Sequence, residues 1–74
     1  MDRPKTRIQN QIRMLRFHRG MTQQDLADRI GVTRQTVNAI EGGKYSPSLE
    51  VAFQIAQVFD TPLDQVFQYA RDAE

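Results

Sequence analysis

In the stretch GVTRQTVNAIEGGK, residues 31 to 44, three side chains able to make paired hydrogen bonds lie within five positions: Arg34, Gln35 and Asn38. An arginine presents a rigid fork of donors, and each carboxamide sets one donor group beside one acceptor. Such patterns meet guanine O6 and N7 or adenine N6 and N7, and a small apolar side chain such as Ala39 suits a thymine methyl. No acid accompanies them on that face, whereas a solvated helix usually mixes both signs of charge. A face free of acids is what approach to phosphates demands.

For these side chains to project together they must share a helix whose other side is buried, and Val37 and Ile40 supply that side. The spacing predicts this helix over Arg34 to about Glu41, entered through a capping Thr33 with Val32 and Val37 as a hydrophobic staple, and ended at Gly42-Gly43. The same punctuation occurs just upstream. Thr22 caps a helix from Gln23 to Ile30, Asp25 answers as its third residue, Met21 and Leu26 form the staple, and Gly31 ends it. Two short helices joined by a turn of about three residues have the geometry of a helix-turn-helix. Ile8, Ile12 and Leu15 predict a preceding helix from about Thr6 to Arg19, stopped by Gly20. Downstream, Pro47 and Ser48 begin a helix through LEVAFQIAQVF, residues 49 to 59, which is apolar on two faces. Its Leu49, Ala52, Phe53 and Ala56 are expected to complete the core, leaving Val51, Ile55 and Val58 for a subunit contact. A last short helix is expected from Thr61-Pro62, with Leu63, Val66 and Phe67 inward. The expected fold class is therefore all-α, with five helices.

Composition narrows the chemistry. At 74 residues the chain makes one small domain, which buries only ~60% of its unfolded surface. It has no cysteine and His18 is its sole histidine, so no disulfide, thiolate site or metal cluster is expected, and no cofactor. No nucleophile, base and orienting group come together, so an enzyme is not expected. The longest apolar run is Val51-Ala52-Phe53, too short for a signal peptide or a membrane span, which leads to an expected cytoplasmic or nucleoid location. The net charge of +1 hides an asymmetry. Residues 1 to 44 carry nine Lys or Arg against four acids, +5, while residues 45 to 74 carry one against five, −4. The first half suits a polyanion, although charge alone leaves nucleic acid, an acidic protein and a membrane surface open.

The segment QQDLADRIGVTRQTVNAIEGGK resembles the helix-turn-helix of the lambda-repressor-like, Cro/repressor-type (XRE) regulators. Ala27 is small where two helices cross, Gly31 makes the turn, and Leu26, Ile30, Val32, Val37 and Ile40 are apolar at the inward slots. The resemblance implies a compact five-helix domain in which helices two and three read double-stranded DNA. By the same resemblance Arg34, Gln35 and Ala39 fall on base-reading slots with Thr33 and Asn38 beside them, and Thr22, Gln23, Gly43, Lys44 and Ser46 on phosphate-contacting ones. Arg16 and Glu41 match a pair that forms a structural ion pair in the family. The chain departs from the pattern at Gly42, often asparagine or arginine, at Asp60, usually a C-capping glycine, and at Thr61 and Pro62.

One reading helix spans too few base pairs to find a site in a genome, so a homodimer on an inverted repeat is expected. Val51, Ile55 and Val58, with Phe67 and Tyr69, are the candidate interface. No small-molecule ligand is expected in so short a chain. An antitoxin that also binds a toxin protein, or a protein-interaction module of the same fold, are the alternatives. Residues 1 to 5 read as a basic arm, 6 to 69 as the domain, and 70 to 74 as a frayed tail. Arg3, Lys5 and Arg7 of the arm region either follow a phosphate or form a disordered basic tail.

Overall fold

The computed structural model describes residues 6–70; Arg3 and Lys5 of the expected arm, and residues 71 to 74 of the expected tail, lie outside the described residues. Local capping chemistry sets the middle of the chain. Helix α2 (Gln23–Ile30) begins with a capping box: the Thr22 hydroxyl accepts from the Asp25 amide and the Asp25 carboxylate accepts from the Thr22 amide. It ends at Gly31, whose φ of +74° is a left-handed conformation that a residue with a Cβ adopts at a cost. Helix α3 (Arg34–Glu41) begins at Thr33, whose hydroxyl accepts from the Thr36 amide, and α4 (Leu49–Val58) begins at Ser48, which serves the Val51 amide in the same way.

The core forms where the inner faces of these helices meet α1 (Ile12–His18) and α5 (Leu63–Val66). Ile12, Leu26, Ala27, Val37, Ile55 and Val66 are within about one per cent of complete burial. Five helices give the fold class expected from the sequence. To them the structure adds a two-stranded antiparallel sheet, β1 (Ile8–Asn10) and β2 (Phe67–Tyr69), in the register Ile8 to Tyr69, Gln9 to Gln68 and Asn10 to Phe67.

That sheet corrects both ends of the sequence reading. Residues 8 to 10 do not belong to the first helix: Ile8 and Asn10 are half-buried and Gln9 exposed, the period of a strand. The last helix likewise stops at Val66 and Phe67 enters the strand, with Pro62 at the N-cap and no side-chain cap. Ala70, expected in the frayed tail, is held: next to the Ile8–Tyr69 pair, its amide donates to the Arg7 carbonyl.

A second correction concerns α4. Its buried face is Ala52, Ile55, Ala56 and, at the C-cap, Phe59; Val51 and Val58 flank it and pack against the core. Leu49 and Phe53, expected inside, are exposed. Ile55 is therefore unavailable to a second subunit, and the buried side draws on both expected faces, Ala52 and Ala56 from one and Ile55 from the other. Phe59, at the i+7 position from Ala52, is the largest fully buried side chain and turns the helix that way.

Arg16 lies buried at the end of α1, and its guanidinium meets the Glu41 carboxylate at the end of α3. Nε and Nη2 take one carboxylate oxygen each, and Nη1 donates to the Met21 carbonyl at 3.0 Å. Two desolvated charges contribute little net stability, but deleting one strands the other. Arg16→Ala should cost about 3–5 kcal/mol and lower the melting temperature by roughly 12 °C or more, read by circular dichroism; unchanged melting would mean the pair bears no structural load.

Candidate nucleic-acid interface

With Val37 and Ile40 sunk in the core, α3 turns Arg34, Gln35 and Asn38 to the exterior, while Ala39 is half-buried beside them. Its one acid, Glu41, is held inward by Arg16, with its side chain 8% exposed. The outer face is thus polar and carries no negative side chain. Thr33 sits at its near end as the N-cap, its hydroxyl 3.0 Å from that of Thr36. At its far end Gly43 has a φ of +72°, and the Lys44 amide donates to the Ala39 carbonyl; Lys44 and Ser46 are exposed in the loop that follows. Thr22 and Gln23 lie at the start of α2, alongside α3: Gln23 donates to Asn38 Oδ1 at 3.2 Å. Gln23 thus lies against the outer face of α3, and Lys44 and Ser46 follow the far end of that helix.

Several supports of this side escaped the sequence reading. Asn10 Nδ2 donates to the Ile40 carbonyl at 2.9 Å and more weakly to that of Glu41, closing the free carbonyl end of α3. Its Oδ1 accepts from the Ile12 amide, so one side chain joins the start of α1 to the end of α3. The contact bridges thirty residues, and no local pattern marks it. Gly42, with φ −79°, has an ordinary helical conformation; a Cβ there would come within 3.3 Å of the Asn38 carbonyl, tighter than most such contacts.

Residues 12–66 match the family described as helix-turn-helix. The chain belongs to the XRE-type helix-turn-helix family. An uncharacterised HTH-type transcriptional regulator of Methanocaldococcus jannaschii is 45% identical over 65 residues, which are 88% of this chain and 98% of that one. The cryptic phage CTXphi transcriptional repressor RstR of Vibrio cholerae is 35% identical over 57 residues, 77% of this chain but only 51% of RstR. Among solved structures, the restriction-modification controller protein C.AhdI from Aeromonas hydrophila superposes with a TM-score of 0.68 at 30% identity, over 73% of this chain and 82% of that one.

As a member of the XRE-type helix-turn-helix family, the protein is a transcriptional regulator with a helix-turn-helix DNA-binding domain, and not an enzyme. Among the described residues no helix is long and apolar enough to cross a membrane, and no three potential metal ligands come together.

One ionisable group in the first turn of α2 has a displaced equilibrium. The Thr22 amide, and then the Thr22 hydroxyl, hold the Asp25 carboxyl below its usual value of 3.8, with a smaller contribution from Arg29. A depressed folded-state pKa supplies stability that is present above the unfolded value and lost as pH falls through the folded one. Asp25→Ala should therefore melt below the wild type at neutral pH, and the gap should close as the pH drops below 3.8. Melting curves of both proteins against pH check this; a constant gap would mean the carboxylate charge contributes nothing.

Proposed function

We propose that the protein represses transcription by binding an inverted-repeat operator as a homodimer, working in the cytoplasm at the nucleoid. The observation that carries this reading is the exposed row of Arg34, Gln35 and Asn38 on α3, with the only acid of that helix turned inward. Placed in a major groove, Arg34 suits guanine and Gln35 suits adenine, with Asn38, Ala39 and Thr33 at neighbouring base edges. The Gln23 main-chain amide and the side chains of Thr22, Lys44 and Ser46, with Gly43 beside them, border the groove as phosphate contacts. Repression rather than activation is favoured by the likeness to RstR, which is named a repressor.

A single head of this size buries ~600–1,000 Å² on DNA, and two heads spaced one turn, ~34 Å, apart double the sequence that is read. The surface assigned to the second copy follows from the corrected α4. Leu49, Phe53 and Tyr69 are 68%, 50% and 69% exposed. Leu49 and Tyr69 line an apolar groove of about 650 Å³ together with Ile8, Pro47, Leu63 and Phe67. Residues 45 to 70 contain no Lys or Arg and three acids, so this side repels phosphates and leaves α3 free to meet them. The same apolar patch on two copies related by a two-fold axis is complementary to itself.

Selection of the purified protein against a random duplex pool tests the reading. It should converge on an inverted repeat with half-site centres ~10 bp apart. On the selected site Arg34→Ala should cost ~1–3 kcal/mol and relax the choice of base at one position; an equal loss on every duplex would make Arg34 a backbone contact. Leu49→Asp should convert a dimer to a monomer in sedimentation and weaken binding to the full repeat by about tenfold or more, leaving a single half-site unaffected. A variant that stays dimeric would move the interface elsewhere, and a protein partner co-purifying at this patch would favour an antitoxin-type role.

A further inference from the structure

The buried ion pair is linked to the reading face by a single side chain. Glu41 Oε1 accepts from Arg16 Nη2 at 3.0 Å and from Gln23 Nε2 at 3.3 Å, and the same Gln23 nitrogen donates to Asn38 Oδ1 at 3.2 Å. An ionised carboxylate only accepts hydrogen bonds, so the end of the Gln23 carboxamide that faces Glu41 must be its NH2. That nitrogen carries two hydrogens. One is directed to Glu41 and the other to Asn38, and a donor can be met only by the oxygen of the Asn38 carboxamide. The polarity therefore passes from the core to the surface in two steps, and the Asn38 NH2 is left turned away from α2.

We infer that Gln23 is a positioning residue: through Glu41 it sets the orientation of the Asn38 carboxamide, so that Asn38 meets DNA with its Nδ2 donor in front. The inference rests on the DNA-reading role of α3 proposed above. Asn38 then favours a base that offers an acceptor at that point, such as guanine O6 or N7 or thymine O4, over cytosine, whose major-groove group is a donor. Both Gln23 amide hydrogens are engaged, so the phosphate contact at this position falls to the main-chain amides at the start of α2 rather than to the side chain. A reader held in one orientation before binding also loses less freedom on binding.

The test compares the wild type, Gln23→Ala, Asn38→Ala and the double variant on the selected duplex and on every single-base change of it, with circular dichroism melts to confirm folding. Asn38→Ala should lose about tenfold discrimination at one position. Gln23→Ala should lose most of that discrimination at the same position and nowhere else, and should add nothing in the Asn38→Ala background. A uniform loss on all duplexes in both backgrounds would overturn the inference and make the Gln23 side chain a phosphate grip. A measurement without DNA separates this from failure of the wider reading: the Asn38 side-chain amide resonances of the free wild type should differ from those of a solvated asparagine and move towards them in Gln23→Ala. Solvent-like Asn38 resonances in the wild type would overturn the inference even if the protein binds its operator. Distinct resonances in a protein that prefers no duplex would overturn the DNA-reading role and the base assignment with it, while the orientation stands.

Discussion

The contact between Arg16 and Glu41 organises this domain because it joins three elements with one guanidinium. Arg16 leaves α1, spans to the carboxylate that ends α3, and donates its remaining nitrogen to the Met21 carbonyl that leads into α2. An apolar pair of the same volume would fill the space as well and avoid the desolvation. It would not fix direction. A fork of donors accepts few relative placements of its partners, so the pair sets how the two arms of the helix-turn-helix lie against α1, while Leu26, Val37 and Ile40 supply the burial that offsets its cost. The described residues contain no buried side-chain nitrogen or oxygen without a partner, as such an arrangement requires.

What the sequence made legible was local. Thr22, Thr33 and Ser48 each lie one residue before a helix and serve an amide three residues on, and Gly31 follows one; those signals act within a few residues and can be read there. Asp60 takes the left-handed conformation, φ +50°, at the slot where the family favours glycine. The misread segments share a different property. Residues 8 to 10 pair with residues 67 to 69 across nearly the whole chain, and the spacing of Ile8, Ile12 and Leu15 imitates a helix that tertiary pairing overrides. On α4 apolar side chains lie on two faces, and periodicity cannot choose between them; the burial of Ile55 and Phe59 decides which side turns inward.

The candidate site was legible to the same extent and for the same reason. Which side chains of α3 face outward follows from where Val37 and Ile40 must go, so Arg34, Gln35 and Asn38 could be named from pattern alone. How they are held could not. Asn10 on the Ile40 carbonyl and Gln23 between Glu41 and Asn38 are contacts between segments fifteen or more residues apart, made by polar side chains that carry no periodic signal. The surface proposed for a second copy differs from the expected one for a related cause, since the face of α4 left outside is decided by the face that is buried.

The small sheet carries a consequence for the order in which the protein is made. Its two strands lie near opposite ends of the chain, and contacts of such separation form late, after the helices and their short turns. During synthesis the chain emerges from its amino terminus, so β1 has no partner until residues 67 to 69 have left the ribosome. Until then the segment that brings Asn10 to the end of α3 is held only from one side. A nascent chain can thus acquire the helix-turn-helix before it acquires the clasp that steadies it, and the finished reading head waits for residues 67 to 69.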